Sequence, residues 1–346
     1  MTKHIDFRRI KEELDTCNNP LFFFDDDPDG LCSFLLLYRY KKEGHGIVVK
    51  AKPYLNMDFI RKVEEYQPDK IFILDMPNVS QDFIDAAKVP VIWIDHHPPQ
   101  DRTSVVYINP RLTDQEIVPT SYMCYTAVQQ DMWIAMIGCI GDWFIPPFID
   151  EFLQKYGYLA EKKYEAPPEY LFETKIGELV KLFSFNLKGK TSEAHKAIKI
   201  FCRIKDPQEI LKQETAQAKY VYKKYEKINE MYKQLKQRAF DAEKKDKKKP
   251  FLVFLYEENQ ISLTKDLSNE LLYRFPKKII ILGRNKGGEV KCSLRSGTNH
   301  SLDKALAKAL IGIQGYGGGH EHACGCCIKE EDFPQFLNAL QTALDL

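Results

Sequence analysis

The chain has 346 residues, of which 44% are hydrophobic and 29% are charged, and its formal net charge is only +1. This length is enough for two domains with sizeable cores, and the composition excludes a disordered or fibrous protein. The near-neutral charge excludes nucleic-acid binding through bulk charge, so any such binding requires a local basic patch.

Two further features of the sequence bear on where the protein acts. No apolar stretch approaches the ~18 residues that a membrane-spanning helix needs, and the first residues lack the apolar core of a signal peptide. The nine cysteines show no framework spacing, which is typical of a reducing compartment. We therefore expect a cytoplasmic protein with no membrane partner.

Residues 1 to about 185 alternate short strands with helical patterns, which predicts a parallel sheet covered by helices on both faces. The predicted strands are 21–25, 46–51, 70–75, 90–95 and 104–108. The predicted helices are 6–15, 30–42, 57–66, 80–87 and 120–141, the last with a break near Gln130. Thr120 and Ser121 are the expected N-cap of that last helix. Residues 144–170 contain two Pro-Pro pairs and are expected to be irregular or to form an excursion over the surface.

Four apolar segments in this half of the chain each end at an acidic residue. The first leads into the sequence Asp-Asp-Asp-Pro-Asp-Gly at 25–30, and the others end at Asp75, at Asp95-His96-His97 and at Gly141-Asp142. Ligands of parallel α/β sheets bind at the carboxyl ends of the strands. We therefore expect these acidic and histidine side chains to form one site rather than four separate surface turns.

The residue types at these segment ends favour a metal site. Crowded carboxylates repel one another, so they stay ionised most easily around a cation. Alternate residues of an extended segment share a face, so Asp25, Asp27 and Asp29 converge if the strand persists into the turn. Carboxylate and imidazole ligands suit Mn²⁺, Mg²⁺ or Zn²⁺, while the lack of cysteine here disfavours a thiolate zinc site. For residues 25–30 taken alone, a solvated acidic turn is the alternative.

Residues 192–249 show a different pattern. This segment has no glycine and only one proline, Pro207, and its tyrosines recur at helical spacing. We predict a long helix over 208–240 whose tyrosines pack against other side chains rather than stack on bases. The lysine-rich run at 244–249 is interpreted as a solvated hinge between domains, with contact to a phosphate backbone as the alternative.

A second α/β domain is predicted from residue 250 onwards. Its predicted strands are 251–256, 278–282 and 290–294, and its predicted helices are 267–275, 302–310 and 331–344. Near its end, Cys324, Cys326 and Cys327 are interpreted as packed thiols, and a metal knuckle with His322 is the alternative.

This second domain contains two candidate phosphate-binding motifs. Gly317, Gly318 and Gly319, followed by His320, predict a glycine-rich loop whose successive backbone amides bind an anion. Arg295, followed by Ser296, offers a guanidinium suited to bidentate phosphate contact, and a surface ion pair is the alternative.

Together these motifs resemble the DHH phosphoesterase superfamily. The sequence at 25–30, Asp75, Asp95-His96-His97 and Gly141-Asp142 are similar to the four motifs of its catalytic domain. Arg295-Ser296 and the glycines followed by His320 are similar to motifs of the companion DHH-associated domain. The first motif is most similar to the RecJ-like branch, and the layout resembles compact archaeal nucleases of that branch. Phe23 stands where several members place a histidine ligand.

The resemblance implies three regions and a metal-dependent site. The regions are a DHH catalytic domain at 1–190, a helical linker at 191–249 and a DHH-associated substrate-binding domain at 250–346. The cofactors implied are two divalent metal ions bridged by Asp75, with Mn²⁺ as the expected metal and Mg²⁺ as the alternative. Asp25 and Asp27 would bind the first ion, and the second would be bound by Asp29, His96 and Asp142.

The resemblance also implies roles for the remaining residues. Asp95 would orient His96, and His97 would face the scissile phosphate, so the catalytic residues would be Asp75, Asp95 and His97. Substrate would be bound by Arg295, Ser296, Gly317, Gly318, Gly319 and His320.

The implied activity is that of an exonuclease on single-stranded DNA or RNA, or on short oligonucleotides. One alternative is a small-molecule phosphoesterase acting on a cyclic dinucleotide, a phosphoadenosine nucleotide or pyrophosphate. The other is a scaffold subunit with a replication or repair protein as its partner.

Overall fold

The computed structural model describes residues 6–50, 54–113, 116–247, 249–257 and 261–345. The chain divides into two compact units, Met1–Tyr225 and Glu226–Leu346. The boundary falls inside a long helix, α12 Ala216–Lys245, so the segment expected to link two domains is shared between the two units.

The first unit is built on a five-stranded parallel sheet. The strands of this unit in chain order are β1 Pro20–Asp25, β2 His45–Val49, β3 Tyr54–Leu55, β4 Lys70–Leu74, β5 Asn78–Val79, β6 Val91–Ile94 and β7 Val106–Ile108. The main sheet has the order β2-β1-β4-β6-β7, and β3 pairs with β5 apart from it. From β1 the chain proceeds to β2 on one side and later to β4 on the other, so the strand order reverses between β1 and β4. Open parallel sheets bind ligands at the carboxyl ends of the strands beside such a point.

Helices surround this sheet and continue beyond it. They are α1 Arg8–Asp15, α2 Pro28–Lys41, α3 Ile60–Tyr66, α4 Gln81–Ala87, α5 Thr120–Val128, α6 Met132–Gly141, α7 Ile149–Tyr156, α8 Pro167–Glu173, α9 Lys175–Leu187, α10 Thr191–Phe201 and α11 Pro207–Leu211. Single turns of 3-10 helix occur at Met57–Phe59, Pro110–Leu112 and Gly157–Leu159. The α/β class with a parallel sheet in the first half, predicted from the sequence, is therefore confirmed.

The structure tests the sequence predictions in three helical regions. The break predicted near Gln130 is confirmed, since α5 ends at Gln129, whose φ of 51° lies in the left-handed region. The expectation that 144–170 is irregular is wrong, because α7 and the start of α8 lie there. Pro167 is the first residue of α8, where a missing backbone N–H costs nothing. The helix predicted over 208–240 is divided between α11 and α12, and Gln213 has a φ of 54° at the break.

Packing in the core of the sheet accounts for Phe23, which stands where several members of the resembled superfamily place a histidine. Phe23 is fully buried in β1, and its ring contacts Phe59 and Phe83 at centroid distances of 5.9 and 5.6 Å. Burying a side chain of this size contributes about 1.5–3 kcal/mol to the free energy of unfolding. Phe23 is thus a core residue of the sheet.

The second unit contains a five-stranded mixed sheet of order β11-β12-β10-β9-β8. Its strands are β8 Phe251–Glu257, β9 Ile279–Lys286, β10 Glu289–Ser296, β11 Gly315–His320 and β12 Ala323–Lys329, and its helices are α13 Thr264–Arg274, α14 Leu302–Ala309 and α15 Phe333–Ala343. Only β8 and β9 pair in parallel among these described strands. The smaller α/β domain predicted at the C-terminal end is confirmed.

The long helix α12 tests two further expectations. Tyr225 and Tyr232 are buried, so the tyrosines at helical spacing pack as predicted. The lysine-rich run at 244–249 lies inside the second unit and is not a hinge between units; Lys248 lies outside the described residues. Lys278 fixes this end of α12, because its Nζ lies 3.1 Å from a Glu243 carboxylate oxygen and donates to backbone carbonyls that follow.

All nine cysteines are free thiols, and those near the end of the chain lie in or beside the core of the second unit. Across the described residues, no helix combines the length and apolar character needed to cross a bilayer.

Candidate metal centre

The acidic residues predicted to form a site do lie at the carboxyl ends of neighbouring strands. Asp25 is the last residue of β1, Asp75 directly follows β4, and Asp95 directly follows β6. Asp75 has a φ of 56°, in the left-handed region that a non-glycine residue occupies only at a cost of about 1–3 kcal/mol. The backbone therefore bends abruptly where β4 ends, on one side of the point where strand order reverses.

The turn after β1 converts strand into helix within two residues. Asp27 is the N-cap of α2, and its Oδ1 accepts a hydrogen bond from the Gly30 backbone N–H at 3.0 Å. A Cβ at Gly30 would lie 2.7 Å from the Asp25 carbonyl oxygen, so the close approach of this turn to β1 requires glycine. The strand does not persist to Asp29, which lies instead in the first turn of α2.

Asp29 caps a helix far away in the sequence. Its two carboxylate oxygens accept hydrogen bonds from the backbone N–H groups of Thr120 and Ser121 at 2.8 and 2.9 Å. These groups are free donors of the first turn of α5, where the helix dipole also favours a negative charge. The expected N-cap at Thr120 and Ser121 is thus wrong, because both residues lie within α5 and the cap comes from Asp29.

His96 brings the remaining acids together. Its Nε2 lies 3.2 Å from Oδ1 of Asp75, and its Nδ1 lies 3.6 Å from Oδ2 of Asp142. Asp142 directly follows α6 and is about one third exposed. The backbone carbonyl of His96 accepts a 2.7 Å hydrogen bond from Nε of Arg111, which fixes the chain at this point.

Three overlapping groups of side chains could each hold a metal ion. Within each group the possible ligand atoms lie within 4.8 Å of one another. The groups are Asp25 with Asp27 and Asp75, Asp29 with His96 and Asp142, and Asp75 with His96 and His97. Asp75 and His96 each belong to two groups, and of these two residues only the carboxylate has two ligand atoms placed to contact two ions at once.

Asp95 contacts a different histidine from the one expected. The Asp95 carboxylate lies 2.7 Å from Nδ1 of His97 and accepts a 3.1 Å hydrogen bond from the His97 backbone N–H. The interpretation that Asp95 orients His96 is therefore wrong. The backbone that follows β6 turns so that His97 lies against Asp95, while His96 lies against Asp75 and Asp142.

Two polar residues missed from the sequence hold Asp95 in place. The Tyr107 hydroxyl donates to Asp95 at 3.3 Å, and Nδ2 of Asn109 lies 3.5 Å from the same carboxylate and 2.9 Å from the His97 carbonyl oxygen. Tyr107 itself stacks on Trp93 with ring centroids 4.0 Å apart. Tyr107 lies in β7 and Asn109 directly follows that strand. The only sequence signal for them was that β7 is the next predicted strand after β6, which ends at Asp95.

The electrostatics of the site disfavour so many negative charges without a cation. Burial raises the pKa of Asp75 well above its ordinary value, and the neighbouring carboxylates of Asp29 and Asp27 raise it further. Burial likewise raises the pKa of Asp29, although His96 acts in the opposite direction. A bound cation would relieve this repulsion, since opposite charge stabilises the ionised carboxylates.

The donor set therefore fits divalent metal ions. Carboxylate oxygens with imidazole nitrogens suit Mn²⁺, Mg²⁺ and Zn²⁺, and no cysteine belongs to any of the three groups found among the described residues. The helix-capping bonds use one lone pair on each Asp29 oxygen and leave further lone pairs for an ion.

The glycine-rich segment of the second unit is a strand rather than a loop. Gly317, Gly318 and Gly319 lie in β11, an exposed edge strand that pairs antiparallel with β12. The expected nest of successive amides is therefore wrong, because amides along a strand point alternately to opposite sides. His320 ends β11 and is exposed.

Arg295 and Ser296 lie at the end of β10, in the same unit. The Arg295 guanidinium donates from Nε to Oδ1 of Asn269 at 2.8 Å and from Nη1 to the Leu294 carbonyl oxygen at 2.8 Å. Its Nη2 makes no hydrogen bond with the described part of the chain, so one donor group stays available. Ser296 is 1% exposed and its hydroxyl bonds to Thr298, so the expectation that Ser296 binds substrate directly is wrong.

Comparison with known proteins places both units in families. Residues 21–139 match the DHH family, N-terminal domain, and residues 262–345 match the DHHA1 domain. No curated protein sequence matches the chain.

Solved structures show the same fold over the whole chain. RecJ from Thermus thermophilus in complex with Mn²⁺ superposes with a TM-score of 0.70 at 18% identity, covering 100% of this chain and 56% of that one. This chain therefore spans about half the length of the Thermus protein. An exonuclease RecJ bound to manganese has a TM-score of 0.66 at 16% identity and covers 100% of this chain and 96% of its own. The chain belongs to the DHH family, with a DHHA1 domain in its second unit and a RecJ-like phosphoesterase fold.

Proposed function

We propose that this protein is a metal-dependent phosphodiesterase that acts as an exonuclease on single-stranded nucleic acid or short oligonucleotides. The observation that carries the proposal is Asp75, a buried carboxylate shared by two groups of possible metal ligands. The RecJ structures with this fold contain manganese or magnesium, which supports the same choice of ion here.

We assign one divalent ion to the group of Asp25, Asp27 and Asp75 and the other to the group of Asp29, His96 and Asp142. Asp75 is not in the second group, but its Oδ1 lies 3.2 Å from Nε2 of His96, and we propose that Asp75 would contact the second ion as well. When bound, such a pair supplies a Lewis acid for the phosphate and lowers the pKa of a coordinated water to about 7.

His97 is the residue best placed to transfer a proton. Asp95 accepts hydrogen bonds from the His97 backbone and from Tyr107, so it acts as an acceptor toward Nδ1 of His97 as well. A proton held on Nδ1 leaves Nε2 of a neutral His97 as the free basic nitrogen. We propose that Nε2 faces the scissile phosphate, and that Asp95 positions the ring.

The negative charge of the centre restricts how a substrate can approach. Asp25, Asp27 and Asp142 are partly exposed, so they repel a phosphodiester unless cations offset them. We propose that Nη2 of Arg295, the His320 ring and alternate amides of Gly317 to Gly319 bind phosphate groups of the strand. These contacts are few, so they suit a strand end better than a long duplex.

The test is a time course of hydrolysis by the purified full chain, with Mn²⁺ and with Mg²⁺. The substrates are DNA and RNA single strands labelled at the 5′ or the 3′ end, a cyclic dinucleotide and pyrophosphate. Asp75→Asn serves as the control for contaminating nucleases. Stepwise shortening of a strand by the wild type alone is the expected result. Hydrolysis of only the dinucleotide or pyrophosphate would replace the proposal with a small-molecule phosphoesterase, and no hydrolysis with metal bound would favour a scaffold subunit.

A further inference from the structure

A cavity of about 770 Å³ lies in the first unit, away from the metal centre. It is lined by the end of α2, the start of β2 and part of α10, at the amino end of the parallel sheet. Asp29 of the metal centre and Arg39 of the cavity belong to the same helix and are about 15 Å apart along its axis. The volume is in the range of small-molecule sites, which is about 300–1,000 Å³.

The lining of this cavity is strongly basic, although the whole chain has a net charge of only +1. The single acidic side chain of the lining, Asp131, forms a bidentate ion pair with Arg39 at 2.7 and 2.8 Å. That pair is electrically balanced. Four further lining residues are exposed cations whose charged groups make no ion pair or hydrogen bond with the described part of the chain: Lys42, Lys199, Arg203 and Lys205.

Gln130, one of the lining residues, carries an amide donor without a partner. Its side-chain Nε2 is buried beside the cavity and has no hydrogen-bond partner among the described residues. A buried donor without an acceptor is destabilising, so a small rotation of the Gln130 side chain toward a ligand acceptor would be favourable. Gln130 stands beside Asp131, in the break between α5 and α6.

Aromatic rings form part of the same lining. His45 and Tyr66 are stacked with ring centroids 4.2 Å apart and an interplanar angle of 27°. Tyr38 lies on α2 near Phe34, with ring centroids 5.3 Å apart. Rings beside unpaired cations provide a surface for a flat base together with contacts for its phosphate, since bases stack favourably on protein rings whatever their sequence.

We propose that this cavity is a second binding site, and that its ligand is a nucleotide. Lys199, Arg203 and the neighbouring cations would bind the phosphate, and the aromatic rings of the lining would contact the base. The shared chemistry is a phosphate with an attached base, and its source can be a free nucleotide or the end of a strand. The site is independent of hydrolysis at the metal centre and of phosphate contacts by Arg295.

The test is calorimetric titration of the full chain with 5′-AMP in the presence of EDTA, which prevents phosphate from binding through metal ions. Adenosine, inorganic phosphate and a short oligothymidylate are titrated in parallel. The wild type is expected to bind 5′-AMP, and to bind adenosine or phosphate at least about tenfold more weakly, because each carries only part of the recognised chemistry. The oligothymidylate is expected to bind at the same site if the natural ligand is a strand end. Tighter binding of the oligothymidylate than of 5′-AMP, with both lost in the Lys199→Glu/Arg203→Glu variant, would identify a strand as the source.

The decisive variant is Lys199→Glu/Arg203→Glu, which reverses two unpaired charges of the lining. The loss of two charge-assisted contacts should weaken 5′-AMP binding by about a hundredfold or more. Its matched control is Lys190→Glu/Lys219→Glu, in which both lysines are exposed and lie outside the lining. Arg295→Ala is titrated in parallel, in order to detect any 5′-AMP that binds at the phosphate contacts proposed for the second unit instead of in the cavity.

Three results would overturn the proposal. The first is that the wild type does not bind 5′-AMP. The second is that the two double charge-reversal variants lose 5′-AMP affinity equally, and the third is that only Arg295→Ala loses it. Circular dichroism of Lys199→Glu/Arg203→Glu, with a wild-type melting temperature expected, separates lost binding from lost folding. None of these results depends on whether the metal centre hydrolyses a strand.

Discussion

Asp95 and His97 are joined by two hydrogen bonds, one to the His97 backbone N–H at 3.1 Å and one to Nδ1 of its ring at 2.7 Å. The neighbouring His96 makes its short contacts with other acids, Asp75 and Asp142. The two adjacent histidines therefore differ in their nearest acid, since Nδ1 of His97 lies 2.7 Å from Asp95 and 3.9 Å from Asp75. In the proposed mechanism His97 transfers a proton and His96 binds metal.

This division predicts the effect of Asp95→Asn. An asparagine can accept a hydrogen bond from Nδ1 only through its amide oxygen and carries no charge to stabilise a protonated His97. We expect kcat to fall by about a hundredfold or more, as for loss of a general acid–base group. Manganese affinity should change little, because Asp95 is in none of the ligand groups. Steady-state kinetics and manganese calorimetry on the same protein measure both quantities.

Tyr107→Phe is the matched control for that variant. It removes one hydrogen bond to Asp95, at 3.3 Å, and retains the ring that stacks on Trp93. Its kcat should fall by less than about tenfold, the effect of one neutral hydrogen bond. A collapse of manganese affinity in Asp95→Asn would instead show that His97, which is grouped with Asp75 and His96, is a metal ligand that Asp95 positions.

A second prediction concerns stability without metal. Asp75 is buried among carboxylates that repel it, so Asp75→Asn should raise the melting temperature of the metal-free protein. Manganese should raise the melting temperature of the wild type, because ligand binding to the folded state stabilises it. The variant should show little or none of that increase. Thermal melts with EDTA and with Mn²⁺ give the comparison, and a metal-free variant less stable than the wild type would contradict the repulsion argument.

Asp29 and Asp142 should differ in what their removal costs. Asp29→Ala leaves two backbone donors of α5 without an acceptor in a buried place, which should lower the free energy of unfolding by about 2–5 kcal/mol. Asp142→Ala affects a partly exposed carboxylate and should change stability by less than about 1 kcal/mol while it weakens metal binding. Urea unfolding in EDTA measures the free energy of unfolding of both variants. Equal decreases in the two variants would show that capping of α5 by Asp29 does not stabilise the fold.

In the second unit, His320 and Arg295 should also behave differently. His320→Ala changes an exposed ring, so KM for a strand should rise with no change in melting temperature. Arg295→Ala should raise KM and also lower the melting temperature, since Arg295 bonds to Asn269 and to backbone carbonyls. The loss of one charge-assisted phosphate contact corresponds to about 1.5–3 kcal/mol of binding free energy. If manganese affinity fell in either variant, this unit would supply metal ligands.

A further prediction concerns the form of the nucleic acid. A chain of net charge +1 with few phosphate contacts should prefer single strands to blunt duplex and show a shallow dependence of affinity on salt. The measurement is binding of the Asp75→Asn protein to both forms across a salt series. Equal affinity for the two forms, or a slope that requires many phosphate contacts, is the outcome that this account does not allow.

The strands that carry the acids were predictable because their signal is local. Each is a short run of apolar residues that stops at Asp25, Asp75 or Asp95, and a buried parallel strand needs no alternation. The strand β11 was not predictable, because glycines have no side chains whose pattern could indicate a strand, and its pairing with β12 is set by the tertiary structure.

The side-chain partners within the site were less predictable than its location. Sequence spacing brings Asp95 near both His96 and His97, but the backbone direction after β6 decides which ring it contacts. Likewise, the bond from Asp29 to α5 joins residues 91 positions apart, and only packing of α5 beside α2 reveals it.

The most direct test of the central claim is manganese anomalous scattering from crystals grown with Mn²⁺. The account predicts two ions per chain, one bound by Asp25 and Asp27 and one by His96 and Asp142, with Asp75 in contact with both. A single ion, or two ions of which neither contacts Asp75, would contradict it.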